Sequence, residues 1–368
     1  MRLKISLTTS LLSSGEHILH LSNQGLLSLL NQKQLISPRI GLPKRVTIQE
    51  YARRMLERQG YKIILNHSAV KPCHWFREAL MKGRTCYKHK FYGIPTWRCL
   101  QMTPTASFCN SQCIYCWRLN ASDVPPRFRW KEVPDPDELW DDPEEIAKES
   151  IRVHRMLVQG YKGVKVFNRE WLYEAEIPAH AAISLTGEPT LYPFLGELVS
   201  AYKKRGMTTF IVTNGTLPER LENLSTEPSQ LYITVPAWEE KLYKRVARPL
   251  WPDAWQRLLK SLELLQSFSC PTVMRITLVR GLNMSNPEGY AKLVNKYNPT
   301  YVEPKSYTYV GYSRRRLPRD ASPSHSEIKE FAKRLAEETG YKILSEAPES
   351  GIVLLSRLDK PIRLFPAR

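Results

Sequence analysis

The chain has 368 residues, 42% apolar and 24% charged, and carries 54 Lys and Arg against 36 Asp and Glu, a formal net charge of +18. A chain this long buries a core without disulfides, its balance excludes a disordered, collagen-like or mini-protein chain, and no run of about 18 apolar residues marks a membrane span. The positive surplus points to a polyanion such as nucleic acid, with a merely basic surface as the plain alternative.

In chain order, residues 1–47 hold six Lys and Arg against one acid, Glu16, in an aperiodic Ser/Leu/Gln-rich stretch. They read as a basic N-terminal appendage, either disordered or the result of a start chosen too far upstream, and their basic opening is interrupted too soon for a signal peptide. Residues 48–60 give a helix pattern stopped at Gly60. From Trp97 strands and helices alternate. The strands are 97–104, the apolar run from 181, 208–215, 230–235, 272–279 and the run from 301. The helices are 143–159, with Ile146, Ser150, Val153 and Leu157 on one face, then 193–206, 253–267 and 287–297. A helix from 326 and two strands close the chain. Six strands alternating with helices argue for parallel βα units, too few for a closed eight-fold barrel. The acidic stretch 132–149, with net charge −8, reads as a solvated linker entering a helix.

Six of the seven cysteines lie between residues 73 and 116, and the seventh, Cys270, reads as core. Clustered thiols in a long chain read as metal ligands before disulfides. Cys109-Asn-Ser-Gln-Cys113-Ile-Tyr-Cys116 places three thiolates on one tight loop. A protein-closed iron–sulfur cluster takes four, so one iron is left open to a small molecule. A zinc site, which wants four ligands, and plain packing are the alternatives. The motif follows the first predicted strand of the series, where a barrel presents its active-site loops. It resembles the radical S-adenosylmethionine (SAM) superfamily, which implies a [4Fe-4S] cluster whose open iron chelates SAM. The resemblance further implies SAM-binding roles for Tyr115, for the turn Thr186-Gly187-Glu188, and for Thr213, Asn214 and Thr234 at later strand ends. Arg275 either neutralises the SAM carboxylate or makes an ordinary ion pair.

Cys73, Cys86 and Cys99 are spaced by 13 and 13, a period that neither helix nor strand demands. They suggest a second [4Fe-4S] cluster, again one ligand short, with buried inert thiols as the alternative. The segments Cys73-His-Trp-Phe, Cys86-Tyr-Lys88-His-Lys90, Cys99-Leu-Gln-Met-Thr-Pro and the later cysteine motif, with SLTGEPTLYP (184–193), TNGTLPE (213–219) and YVGYSRRRLPRD (309–320), resemble archaeal-type 4-demethylwyosine synthases over about residues 50–358. Pro236 departs from the pattern, standing where that family commonly carries an acid.

The resemblance implies an α/β fold, a partial (β/α)6 TIM-like barrel of the radical SAM type with N- and C-terminal extensions. It divides the chain into the appendage (1–47), an auxiliary iron–sulfur and tRNA-binding region (48–96), the partial barrel (97–320) and a terminal helix and strand extension (321–368). It implies a cytoplasmic, monomeric lyase of wybutosine biosynthesis. Its substrate is N1-methylguanosine at position 37 of tRNA-Phe, its co-substrate pyruvate, and its product 4-demethylwyosine; an electron donor is needed. Pyruvate then sits on the open iron of the second cluster or on Lys88, which matches the proposed Schiff-base lysine; Lys90 is the runner-up, and a phosphate contact is the plain role for Lys88. Residues 71–98 hold seven Lys and Arg against one Glu, interleaved with Trp75, Phe76, Tyr87, Phe91, Tyr92 and Trp97, which suits an unstacked loop nucleotide. Arg314, Arg315, Arg316 and Arg319 form a second basic patch. Another radical SAM enzyme acting on RNA or peptide, or a zinc or RNA-binding protein, are the competing functions.

Overall fold

The computed structural model describes residues 44–365, so the expectations for 1–43 lie outside the described residues. The first elements are α1 (Glu50–Arg58), β1 (Lys62–Ile64), β2 (Ser68–Val70), α2 (His74–Lys82) and α3 (Tyr87–Tyr92). Then come β3 (Cys99–Thr103), α4 (Pro143–Gln159), α5 (Arg169–Ala175), β4 (His180–Ile183), α6 (Leu195–Lys203), β5 (Thr208–Thr213), α7 (Pro218–Glu222) and β6 (Gln230–Thr234). The chain continues through α8 (Glu240–Ala247), α9 (Ala254–Glu263), β7 (Thr272–Leu278), α10 (Pro287–Tyr297), β8 (Tyr301–Ser306), α11 (His325–Thr339), β9 (Lys342–Ala347) and β10 (Ile352–Ser356).

All ten strands belong to one sheet in the order β1-β2-β3-β4-β5-β6-β7-β8-β10-β9. The six from β3 to β8 are parallel, and β2 and β10 join them antiparallel at either side. This is a partial (β/α)6 barrel whose sheet does not close. Residue alternation sorts its two faces. Leu100, Met102, Ala181, Ile183, Ile211, Leu231, Ile233, Met274, Ile276 and Val302 point outward into one core shared with the covering helices. The opposite parity faces the lumen. There Phe210, Tyr232, Val273 and Tyr301 pack with Phe91 and Tyr92 of α3, so this short helix floors the barrel at the amino ends of its strands.

Local chemistry explains the helices that the sequence shows plainly. Asp142 caps α4 by accepting from the Glu144 and Glu145 amides at 2.9 and 3.0 Å, and Ile146, Ser150, Val153, His154 and Val158 form the buried stripe. Ser324 and Glu327 form a capping box on α11. The sequence reading passed over β1, β2, α2 and α3. The two strands have three residues each, and the two helices begin at Cys73 and Cys86, which are not cap signals.

The acidic stretch is not wholly a solvated linker. Glu132 is buried against Arg118, and Asp141 is buried against Asn66 and His67. The His67 Nδ1–H donates to the Pro104 carbonyl at 2.6 Å, and its Nε2 accepts from the Asp141 amide at 2.9 Å, so the ring is neutral. These bonds tie the acidic segment to the end of β3.

Candidate active site

The loop carrying Cys109, Cys113 and Cys116 leaves the carboxyl end of β3 and is held by its neighbours' backbone. The Cys109 amide donates to the Glu132 carbonyl at 2.9 Å, Gln112 to the Ala247 carbonyl at 3.1 Å, and Ile114 to the Val246 carbonyl at 3.0 Å. Two arginines complete the cradle. Buried Arg118 pairs with Glu132 at 2.8 Å and donates to the Ser111 carbonyl at 3.0 Å. Arg316 donates to the carbonyls of Cys113, Cys116 and Arg118 at 2.9, 3.1 and 2.7 Å and forks onto both oxygens of Asp123.

All three thiols are free and half-buried. Burial pushes Cys113 up to about 12 and Cys109 above its ordinary value, with neighbouring negative groups adding and Arg118 opposing. A positively charged iron centre is what would hold such thiols as thiolates, so the donor set fits the cluster that the spacing implies.

Beside the loop, Glu188 is 2% exposed and saturated by the chain itself. It accepts from the Thr190 amide at 3.1 Å and hydroxyl at 2.6 Å, the Thr213 hydroxyl at 2.5 Å and the Asn214 amide at 2.7 Å. Gly187 has φ +73°, and a Cβ there would stand 1.9 Å from the Thr105 carbonyl oxygen. Its close approach is to the chain leading into the cysteine loop, reinforced by the Glu188 amide donating to the Phe108 carbonyl at 2.9 Å. The Thr186 carbonyl accepts from the Thr103 hydroxyl at 2.5 Å. Asn214 reaches back to Asn110 at 2.7 Å. A narrow cleft opens here, lined by Ser111, Cys113, Tyr115, Asn214, Thr234 and Pro236 among others. Tyr115, Asn214 and Thr234 thus come together at the cleft, whereas Thr186, Gly187, Glu188 and Thr213 stand behind it as its frame. Pro236, the departure from the family pattern, is one of its walls.

At the other end of the barrel, Cys73 caps α2, its sulfur accepting from the Phe76 amide at 3.2 Å; Cys86 precedes α3, and Cys99 opens β3. Burial raises the Cys73 thiol to about 11, with Cys86 the next contributor; Cys99 is pushed well above its ordinary value by burial and then by Cys73. The three thiols are thus near enough to act on one another's charge. Among the described residues, no three His, Cys, Asp or Glu side chains could hold one metal ion. A cubane, bound through three different irons, does not require that convergence, and an all-thiol donor set suits it.

Lys88 enters the lumen from α3, its amine 3.9 Å from the centre of the Phe210 ring and 5.6 Å from that of Tyr232. It is half-buried, and burial lowers its pKa against the opposing pull of Cys99 and Cys86. Lys90 is exposed and donates to the Glu346 carbonyl. Arg275 is not brought to the cleft. It lies in the lumen, ion-paired with Glu303 (Nε to carboxylate 2.9 Å) and donating to the Tyr87 hydroxyl at 2.9 Å, the ordinary-ion-pair alternative.

Two basic-patch expectations change. Phe76, Phe91 and Tyr92 are at most 1% exposed, and Trp97 stacks on Trp171 at 3.8 Å, so this aromatic series is largely core. Arg316 leaves the second patch because its guanidinium is spent on the cysteine loop; Arg314, Arg315 and Arg319 remain exposed. Sequence reasoning missed Arg118, Glu132 and Glu303. An Arg two residues past Cys116 was the one signal for the first, and the acids carried none.

Comparison with known proteins adds three findings. Residues 103–294 match a family model described as the radical SAM superfamily, and residues 296–357 one described as wyosine base formation. The S-adenosyl-L-methionine-dependent tRNA 4-demethylwyosine synthase of Pyrococcus abyssi is 47% identical over 327 residues, covering 86% of this chain and 93% of that one. That of Oryza sativa subsp. japonica is 39% identical over 311 residues, 84% of this chain and 46% of the longer plant protein. A solved structure of archaeal TYW1 superposes with a TM-score of 0.70 at 32% identity, covering 86% of this chain and 99% of that one. One of TYW1 with a lysine–pyruvate adduct bound gives 0.76 at 35% identity over the same shares.

Proposed function

This chain belongs to the tRNA 4-demethylwyosine synthase family of radical SAM enzymes, and from that footing we propose that it converts N1-methylguanosine at position 37 of tRNA-Phe, with pyruvate, into 4-demethylwyosine. Cys109, Cys113 and Cys116 would hold the cluster that binds SAM, and Cys73, Cys86 and Cys99 would hold a second one. The first cluster, when bound, supplies the electron that cleaves SAM to a 5′-deoxyadenosyl radical able to take a hydrogen from the N1-methyl group.

The chain's own residues do the rest. Tyr115, Asn214 and Thr234 line the cleft for SAM, and the frame behind them, Glu188 above all, fixes their strand ends. Lys88 forms a Schiff base with the pyruvate carbonyl, releasing water, and so presents the co-substrate inside the barrel. The placement of Lys88 in the lumen, its amine over Phe210 and near Tyr232, is the observation that carries this reading. The solved neighbour with a lysine–pyruvate adduct supports it. The methyl carbon, inaccessible in a stacked anticodon loop, must be flipped into the barrel mouth. The exposed Arg314, Arg315 and Arg319 grip phosphates. An external donor supplies the electron, and the enzyme works in the cytoplasm as a monomer; among the described residues no helix is long and apolar enough to cross a membrane.

The test is anaerobic reconstitution with SAM, reductant, pyruvate and tRNA carrying N1-methylguanosine. Conversion to 4-demethylwyosine is expected, with about eight irons per chain. Untouched N1-methylguanosine would overturn the reading, and Lys88→Met should abolish borohydride-trapped pyruvate while SAM cleavage persists.

A further inference from the structure

We propose that Lys305 anchors the carboxylate of the keto-acid co-substrate, an inference that rests on the pyruvate reading above. Lys305 lies on the lumen face of β8, in register with Thr277, while Glu303 two residues earlier pairs in register with Arg275. A two-residue step raises it roughly 7 Å from the Arg275–Glu303 pair toward the carboxyl ends of the strands. Lys88 comes to the same pair by way of Tyr232, its amine 5.6 Å from the centre of the ring over which the Arg275 guanidinium stands at 5.0 Å.

The lumen's cations are not equivalent. Arg275 is consumed by Glu303. Lys88 is required as a nucleophile. Lys305 has no carboxylate partner among the described residues, its amine donating only to the Ser350 carbonyl at 2.8 Å. That carbonyl belongs to the turn between β9 and β10, pinned to β8 by the Ser306 amide donating to the Gly351 carbonyl at 2.7 Å. One neutral acceptor leaves most of an ammonium's bonding capacity unused. Desolvation and the Arg275 charge push Lys305 down to about 8, which marks a cation short of counter-charge. A keto acid brings both features this pair of lysines can use, a carbonyl for Lys88 and an adjacent anion for Lys305. Moreover, Lys305 falls within the 296–357 wyosine-formation segment and outside the 103–294 superfamily match. A residue serving the co-substrate peculiar to this reaction belongs in that segment.

The experiment compares pyruvate with pyruvamide, its neutral isostere, in the reconstituted full-length enzyme. Wild type should prefer pyruvate. Lys305→Gln should raise KM for pyruvate about 10- to 100-fold, the worth of a charge-assisted hydrogen bond, with a smaller effect on kcat, and should erase the preference over pyruvamide. Lys305→Arg should restore most of it. Independently of turnover, the pyruvate concentration that half-saturates borohydride-trapped adduct on Lys88 should rise by a similar factor in Lys305→Gln. Equal use of pyruvate and pyruvamide by wild type would overturn the anchor without recourse to any variant. So would a folded Lys305→Gln enzyme with unchanged pyruvate KM and trapping curve. A wild-type enzyme that leaves N1-methylguanosine untouched with pyruvate present would instead sink the functional reading and this inference with it.

Discussion

Replacing Arg316 by Met separates two roles that a run of arginines conceals. The guanidinium satisfies three carbonyls of the cysteine loop at 2.7–3.1 Å and both oxygens of Asp123, in a pair whose side chains are 8% and 9% exposed. Met fills much of the volume but leaves a buried carboxylate and several carbonyls without partners. Breaking one side of a buried ion pair costs about 3–5 kcal/mol. At roughly 2 °C per kcal/mol for a large domain, the thermal midpoint should fall by about 6–10 °C. Scanning calorimetry or circular dichroism reads the midpoint, and SAM cleavage without tRNA reads the loop, which should lose iron on reconstitution. Arg316→Lys should rescue little, because an ammonium cannot fork onto Asp123 while reaching three carbonyls. An Arg316→Met protein with unchanged midpoint and SAM cleavage but weakened tRNA binding would refute this reasoning and return Arg316 to the phosphate-binding patch.

Arg315→Ala should do the converse, leaving the midpoint unchanged and lowering the slope of log affinity for tRNA against log salt by about 0.7–0.9. In Gly187→Ala the added Cβ meets the Thr105 carbonyl oxygen at 1.9 Å in a left-handed conformation. Beyond about 1–2 kcal/mol of backbone strain it must displace the loop entrance, so SAM cleavage should collapse; activity near wild type would show that the turn is not pressed against the loop. His154, buried and donating to the Ala175 carbonyl at 2.9 Å, is pushed down to about 4 by desolvation. The unfolded chain therefore binds the proton first, and stability present above pH 6.5 is lost as pH falls toward 4, by about 3 kcal/mol from this ring. Urea midpoints at pH 7.5 and 5 should show a smaller acid loss in His154→Gln than in wild type.

The parallel strands were legible because Ile211, Ile233 and Met274 sit in short apolar runs bounded by turns, which physics ties to buried sheet. The cysteine loop was legible from its spacing alone. Height along a strand was not. Parity puts Arg275 in the lumen, but only the neighbouring Glu303 decides whether it serves SAM or an ion pair. Composition also could not distinguish Phe91 and Tyr92 flooring a barrel from aromatics awaiting a base. Arg315 and Arg316 are adjacent and chemically identical, and only the hydrogen bonds that the Arg316 guanidinium makes inward set one of them as structural.

The floor of the barrel has a dynamic consequence. A six-residue helix has no stability of its own, since nucleation outweighs so few hydrogen bonds. Every residue of α3 is nonetheless engaged: the Tyr87 hydroxyl by Arg275, Lys88 over Phe210, the His89 ring with the Ile94 carbonyl, Lys90 with Glu346, Phe91 in the core, and the Tyr92 hydroxyl on Glu303. The helix cannot fray by itself; it opens only when the barrel opens. Its amides should accordingly exchange with deuterium at the slow, global rate usually reserved for central strands, although it is a short surface-to-core connector. The lysine it carries has no private motion with which to hunt for its target, so its reach is set by the fold before any substrate arrives.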